Sequence, residues 1–163
     1  MSPKTAARRL IRHTELDDLP IDPIAILRSR GVRVIELPFD AMEGLTTRVG
    51  AAVVVALGRG RTPSRRRWAA AHELGHVELG HVDHPGVRWD ALQGRELCHA
   101  ANIFAAELLM PRHLVWQAWL KYSGDLGKLA RLFGVTVPIM KKRADELVGM
   151  RPSPFDTTWV SIH

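Results

Sequence analysis

Two histidines four residues apart, His72 and His76, with Glu73 directly after the first, constrain this chain more than any other feature. The pattern H-E-x-x-H has mechanical meaning only on an α-helix, where residues four apart stand one turn apart on one face. Both imidazoles then reach one tetrahedral ion, and Glu73 projects beside them with a carboxylate able to take a proton from water. The flanks agree with a helix. Thr62-Pro63-Ser64 reads as its start, and Trp68, Ala71, Leu74, Gly75 and Leu79 recur at helical spacing up to Gly80. The expected cofactor is Zn2+, the expected reaction metal-assisted hydrolysis of an amide, and the expected general base Glu73.

A catalytic zinc takes three protein ligands and leaves a fourth position open. A second apolar helix, predicted from Leu97 to Leu109 and bounded by Pro111, offers Glu96, Cys98, His99 and Glu107. One helix cannot aim all four at one point. At about 3.6 residues per turn, Glu96 and Glu107 fall nearly opposite Cys98, and His99 lies about a quarter turn away. Cys98, His99 and Glu96 therefore stay open as the third ligand. A thiolate suits zinc chemically, and two histidines with one cysteine form an established catalytic set. As a plain structural residue Cys98 would be a small buried hydrophobe. His81 and His84 are candidates to assist near the ion, and His99, His113 and Tyr122 to stabilise a developing oxyanion. A solvated position is the plainer expectation for such histidines, and a core position for Trp68, Phe104, Trp116 and Trp119.

At 163 residues the chain can bury a sizeable core as one domain, and 46% hydrophobic with 25% charged residues excludes a disordered or fibrous class. The fold class expected is α+β, mostly helical and zincin-like, with a small three-stranded sheet. Residues 4 to 12 are predicted to form a basic helix. Asp22 and Pro23 form an N-cap and first turn for a helix through Leu27, which Gly31 stops. Strands are predicted over Val32 to Leu37, Leu45 to Val49 and Ala51 to Leu57, with turns at 38–44 and 58–60. A loop covers 82–94. Pro111 suits the first turn of a helix carrying Trp116 and Trp119, Asp125 and Thr136 cap two more, and Gly149 follows the last. The domain is expected to span 1–150, with a helical cap over about 112–149 and a loosely held tail over 151–163.

The net charge of +6 and pI of about 10.2 raise nucleic acid as a partner. The excess is clustered at Arg59 to Arg67 and Lys141 to Arg143, where solvated helix entrances explain it. The first twenty residues mix charges without an apolar run, and the longest apolar stretch, Ala51 to Leu57, is far too short for a membrane span. With a lone cysteine, these features place the chain in a reducing cytoplasm. Oligomeric state is not legible.

The stretch Arg65-Arg66-Arg67-Trp68-Ala69-Ala70-Ala71-His72-Glu73-Leu74-Gly75-His76, continued by Val77-Glu78-Leu79-Gly80-His81, pairs with Ala101-Asn102-Ile103-Phe104-Ala105-Ala106-Glu107-Leu108-Leu109-Met110-Pro111. Together with Leu129 to Val135, these segments resemble the ImmA/IrrE family of metallopeptidases over about residues 20 to 148. The resemblance implies a zinc peptidase whose protein substrate is a helix-turn-helix transcriptional repressor. It also implies zinc ligation by the two motif histidines and usually a glutamate four residues before the Asn of A-N-x-F-A-A. In this chain that position is Cys98, a departure from the family pattern. Other readings compete with it. The segment 125–148 resembles a helix-turn-helix and raises a DNA-binding regulator, although it serves equally as a helical cap, so direct nucleic-acid binding is not favoured. The altered third ligand raises a zinc-dependent sensor without turnover. A deformylase-like hydrolase is excluded by order, because there the cysteine precedes the histidine motif.

Overall fold

The computed structural model describes residues 1–38, 43–83 and 93–148. Its elements follow from local capping and periodicity. Helix α1 (Pro3–Leu10) starts where the Ser2 hydroxyl accepts from the Thr5 N–H, and α2 (Pro23–Ser29) where Asp22 accepts from the N–H groups of Ile24 and Ala25. Pro occupies the first turn of each, where no backbone donor is missed. Gly31, at φ +74°, then turns the chain out of α2 into strand β1 (Arg33–Leu37).

β1 lies parallel to β3 (Ala52–Gly58), and β2 (Gly44–Val49) pairs antiparallel with β3, giving the order β1-β3-β2. β3 is central and the most apolar, with Val55 and Leu57 fully buried; β2 is an edge. Thr62 caps α3 (Pro63–Glu78) through the Arg65 N–H. Against α3 lies α4 (Gln93–Leu109). The two approach closely because the facing residues are small. A Cβ on Gly75 would come within 3.1 Å of the Ala101 Cα and of the Phe104 ring, and Ala70, Ala71, Ala101 and Ala105 are fully buried. Helices α5 (Arg112–Lys121), α6 (Leu126–Phe133) and α7 (Val137–Val148) close the far side, with Asp125 capping α6 through the Lys128 N–H. The core joins the sheet's inner face, α3, α4 and these helices through Leu74, Phe104, Leu108, Leu129, Phe133 and Met140. Seven α-helices among the described residues and one small mixed sheet make the fold α+β, as expected.

Differences from expectation have local causes. α4 begins at Gln93, four residues ahead of Leu97, because Arg95 and Glu96 in its first turn are exposed and carry no apolar period. Pro111 is the N-cap of α5 rather than a first-turn residue. Residues 81–83 form a 3-10 turn where the loop was expected to begin. Phe104 is core, but Trp68 and Trp119 only pack on the core's margin and Trp116 is half-buried. The basic run at 59–67 is largely committed within the chain: Arg65 pairs with Glu43, Arg66 with Glu36, and Arg67 donates to the Gly134 carbonyl at 2.8 Å. Most of the 82–94 loop, Gly149 and the 151–163 tail lie outside the described residues.

Candidate metal centre

The middle of α3 turns titratable groups inward. Glu73 is 6% exposed and His76 3%, among buried Ala70, Ala71, Leu74 and Gly75. Burying Glu73 and His76, with His72 half-buried beside them, is costly unless each finds partners. Each does. His72 Nδ1 lies 2.9 Å from Asn102 Oδ1, so the ring donates to that carbonyl. His76 Nδ1 lies 3.0 Å from His81 Nδ1, satisfied when His76 donates to the lone pair of His81. His72 Nε2 and His76 Nε2 face each other at 3.1 Å, and in the tautomer in which each ring carries its proton on Nδ1 both Nε2 lone pairs converge on one point, the arrangement a metal ion takes.

Cys98 completes the cluster from α4. Its Sγ is 4.0 Å from His76 Nε2, and the three ligand atoms lie within 4.8 Å of one another. Zinc with tetrahedral N ligands at about 2.0–2.1 Å separates neighbouring nitrogens by about 3.3 Å, close to the separation here. The residues present fit the ion. Glu96 and His99, the alternatives, are exposed and stand outside the cluster. Glu107, weighed on the same helix, is 2% exposed and held by Arg143 and by Arg8 at 2.8 Å, so it belongs to an ion-pair network of the fold.

Burial, helped by His72 and His81, drives the His76 pKa down to about 3, and burial also lowers that of His72 against the Asn102 hydrogen bond. Both rings are thus neutral at physiological pH, the form that binds metal. Burial, then the charge of Glu73, raises the Cys98 thiol. Burial pushes the Glu73 carboxyl up to about 7, against the pull of the Thr46 hydrogen bond. That bond, from the Thr46 hydroxyl to Oε2, measures 2.6 Å and ties α3 to β2. Beside it Gly44 leaves room for the carboxylate, since a Cβ there would come within 2.8 Å of Oε1.

The other candidates separate. His81 stands behind His76 as its hydrogen-bond partner, and Asn102, which pattern reading did not single out for a role, does the same for His72. The signal for Asn102 was its place one helical turn after Cys98. Thr46 was missed altogether, because nothing local marks one strand threonine among its neighbours. His113 is half-buried on α5, its pKa lowered by burial, and Tyr122 sits at that helix's end under Lys121. His84 lies outside the described residues.

A solved structure of a Mycobacterium tuberculosis transcriptional regulator superposes with a TM-score of 0.68 at 21% identity, over 92% of this chain and 47% of that one. The chain therefore spans about half the regulator's length, and the likeness shows the fold. No curated protein matches the sequence. No helix among the described residues is long and apolar enough to cross a membrane. The family model of the IrrE N-terminal-like domain, peptidase M78, matches residues 27–145, both halves of the site included, and the chain belongs to that family.

Proposed function

We propose that this protein is a zinc-dependent peptidase that cleaves a peptide bond in another protein, a helix-turn-helix transcriptional repressor being the substrate class. The observation that carries the reading is the convergence of His72 Nε2, His76 Nε2 and Cys98 Sγ beside a buried Glu73. Those three side chains would hold the ion. Bound there, zinc supplies Lewis-acid polarisation of a carbonyl and brings the pKa of a water towards neutrality.

Glu73 is the general base. With its pKa at about 7, it accepts a proton at neutral pH and releases one again. Thr46 occupies Oε2 and leaves Oε1 for the proton, which Glu73 takes from the attacking water and hands to the departing amine. β2 is an edge strand beside this carboxylate, and an extended substrate segment adding to it would present its scissile bond across the site. The repressor substrate follows from the family resemblance, and the regulator with the same fold is consistent with a role in transcription.

Glu73→Gln keeps the size and hydrogen bonding of the side chain but cannot take the proton. It is expected to lower cleavage about 10²–10⁴-fold while one zinc per chain is retained. The measurement is mass analysis of fragments from a candidate helix-turn-helix repressor, together with metal content. A variant as active as the parent defeats the reading. One observation favours a second reading: Cys98 stands where the family usually has a carboxylate, and a thiolate ligand suits a zinc sensor without turnover. Zinc uptake with no cleavage of any repressor tested would select it. The DNA-binding reading of 125–148 loses ground, because on α7 Arg143 is buried against Glu107 and Lys141 pairs with Asp145 at 2.7 Å.

A further inference from the structure

A groove of about 550 Å³ opens between α1, α3, α4 and α7. Its walls are apolar: Trp68, Ile103, Ala106, Ile139 and Leu147. Five cationic side chains line it against two carboxylates, Glu107 and Glu146. Glu107 is already neutralised by Arg8 and Arg143, and Glu146 pairs with Arg143 as well, so neither carboxylate is committed to the groove's lysines. Lys4 on α1 and Lys142 on α7 are exposed at this groove, and neither has an ion-pair or hydrogen-bond partner among the described residues. The volume lies in the range of small-ligand pockets, about 300–1,000 Å³. Apolar walls with unmatched ammonium groups complement one chemistry, an acid group on an apolar body. Asn102 also lines the groove, and its Oδ1 holds the His72 ring at 2.9 Å.

We propose that this groove binds a small organic anion with an apolar body and that its occupancy is read at the metal centre through Asn102. Anything that displaces the Asn102 carbonyl loosens the ring it orients, and by linkage zinc and the anion then alter each other's affinity equally. The coupling rests on the peptidase reading above; the binding does not.

The test uses decanoate as probe, titrated calorimetrically into the metal-free full chain. One decanoate per chain is expected, weakening with added salt. Decan-1-ol, lacking the charge, is expected to bind at least about tenfold more weakly. The double variant Lys4→Glu/Lys142→Glu alters only exposed side chains and is expected to cost decanoate a similar factor, while Ala106→Trp fills the groove and abolishes binding. No saturable binding overturns the proposal. So does equal affinity for acid and alcohol, or indifference to both variants. Binding seen only after removal of residues 149–163 overturns it in favour of the chain's own tail. Zinc affinity is then measured with and without saturating decanoate. A shift in the parent that vanishes in the lysine variant supports the coupling; no shift, or the same shift in both, overturns it. A chain that takes up no zinc defeats the peptidase reading and leaves the decanoate result standing.

Discussion

Cys98 stands where the family resemblance implies a glutamate, and its chemistry makes a definite expectation. A thiol raised by burial gives up its proton only when a cation replaces it, so zinc binding here releases a proton and strengthens as pH rises. Cys98→Ser keeps the shape but loses the thiolate, and is expected to weaken zinc by at least about tenfold. Cys98→Glu supplies the carboxylate that the family resemblance implies, its donor oxygens two bonds further out, and is expected to recover metal content. Cobalt substitution reads this directly, since the thiolate-to-cobalt charge-transfer band disappears in both variants. Retention of that band in Cys98→Ser would remove Cys98 from the ligand set. Behind the candidate ligands, the Asn102 carbonyl fixes the His72 tautomer and His81 holds the His76 ring through Nδ1.

At the scale of elements, the centre exists because α3 and α4 touch. Gly75, between the two histidines, sits against the Ala101 backbone, one turn of α4 from Cys98. Gly75→Ala would gain about 1 kcal/mol of helix propensity, but the new methyl group meets backbone that must move, an overpacking cost of about 1–3 kcal/mol. Overpacking wins. The variant is expected to melt lower and to bind zinc more weakly, because α4 moves away carrying Cys98; calorimetry and zinc titration on one preparation check both. On the other side of α3, the edge strand β2 supplies Thr46 to Glu73. One helix thus receives its ligand from α4 and its base's hydrogen bond from the sheet.

Over the whole molecule, α1, α4 and α7 are tied by one buried carboxylate. Burial alone would raise Glu107, but Arg143 and Arg8 outweigh it and hold its carboxyl below the usual range. A depressed folded pKa stabilises the fold above the unfolded value, about 4.3, and that contribution disappears as pH falls through the folded value. Glu107→Gln leaves the Arg143 guanidinium, 3% exposed, with only the longer pairing to Glu146 at 3.6 Å, and is expected to destabilise the fold at neutral pH by up to about 3 kcal/mol. Urea unfolding is expected to show the gap between parent and variant narrowing as pH drops below about 4.3. A gap constant with pH would mean the carboxylate's charge contributes nothing. The same network forms one side of the groove proposed to bind an anion, so the helical cap and that groove share their charged residues.

Much of this molecule is written in local pattern. The caps at Asp22, Thr62 and Asp125, the glycine stop after α2, the three strands and the pairing of His72 with His76 depend on neighbours within a few residues, and all are legible in the order of amino acids alone. Helical geometry by itself left the third ligand open among Cys98, His99 and Glu96, because an angle around one helix does not say which side meets α3. Packing separates the three: Gly75 against Ala101 sets the contact face, bringing Cys98 to the histidines and leaving His99 and Glu96 in solvent. Thr46, the Glu107 network and the groove likewise join residues tens of positions apart, and no spacing rule along a chain encodes a distance across a core.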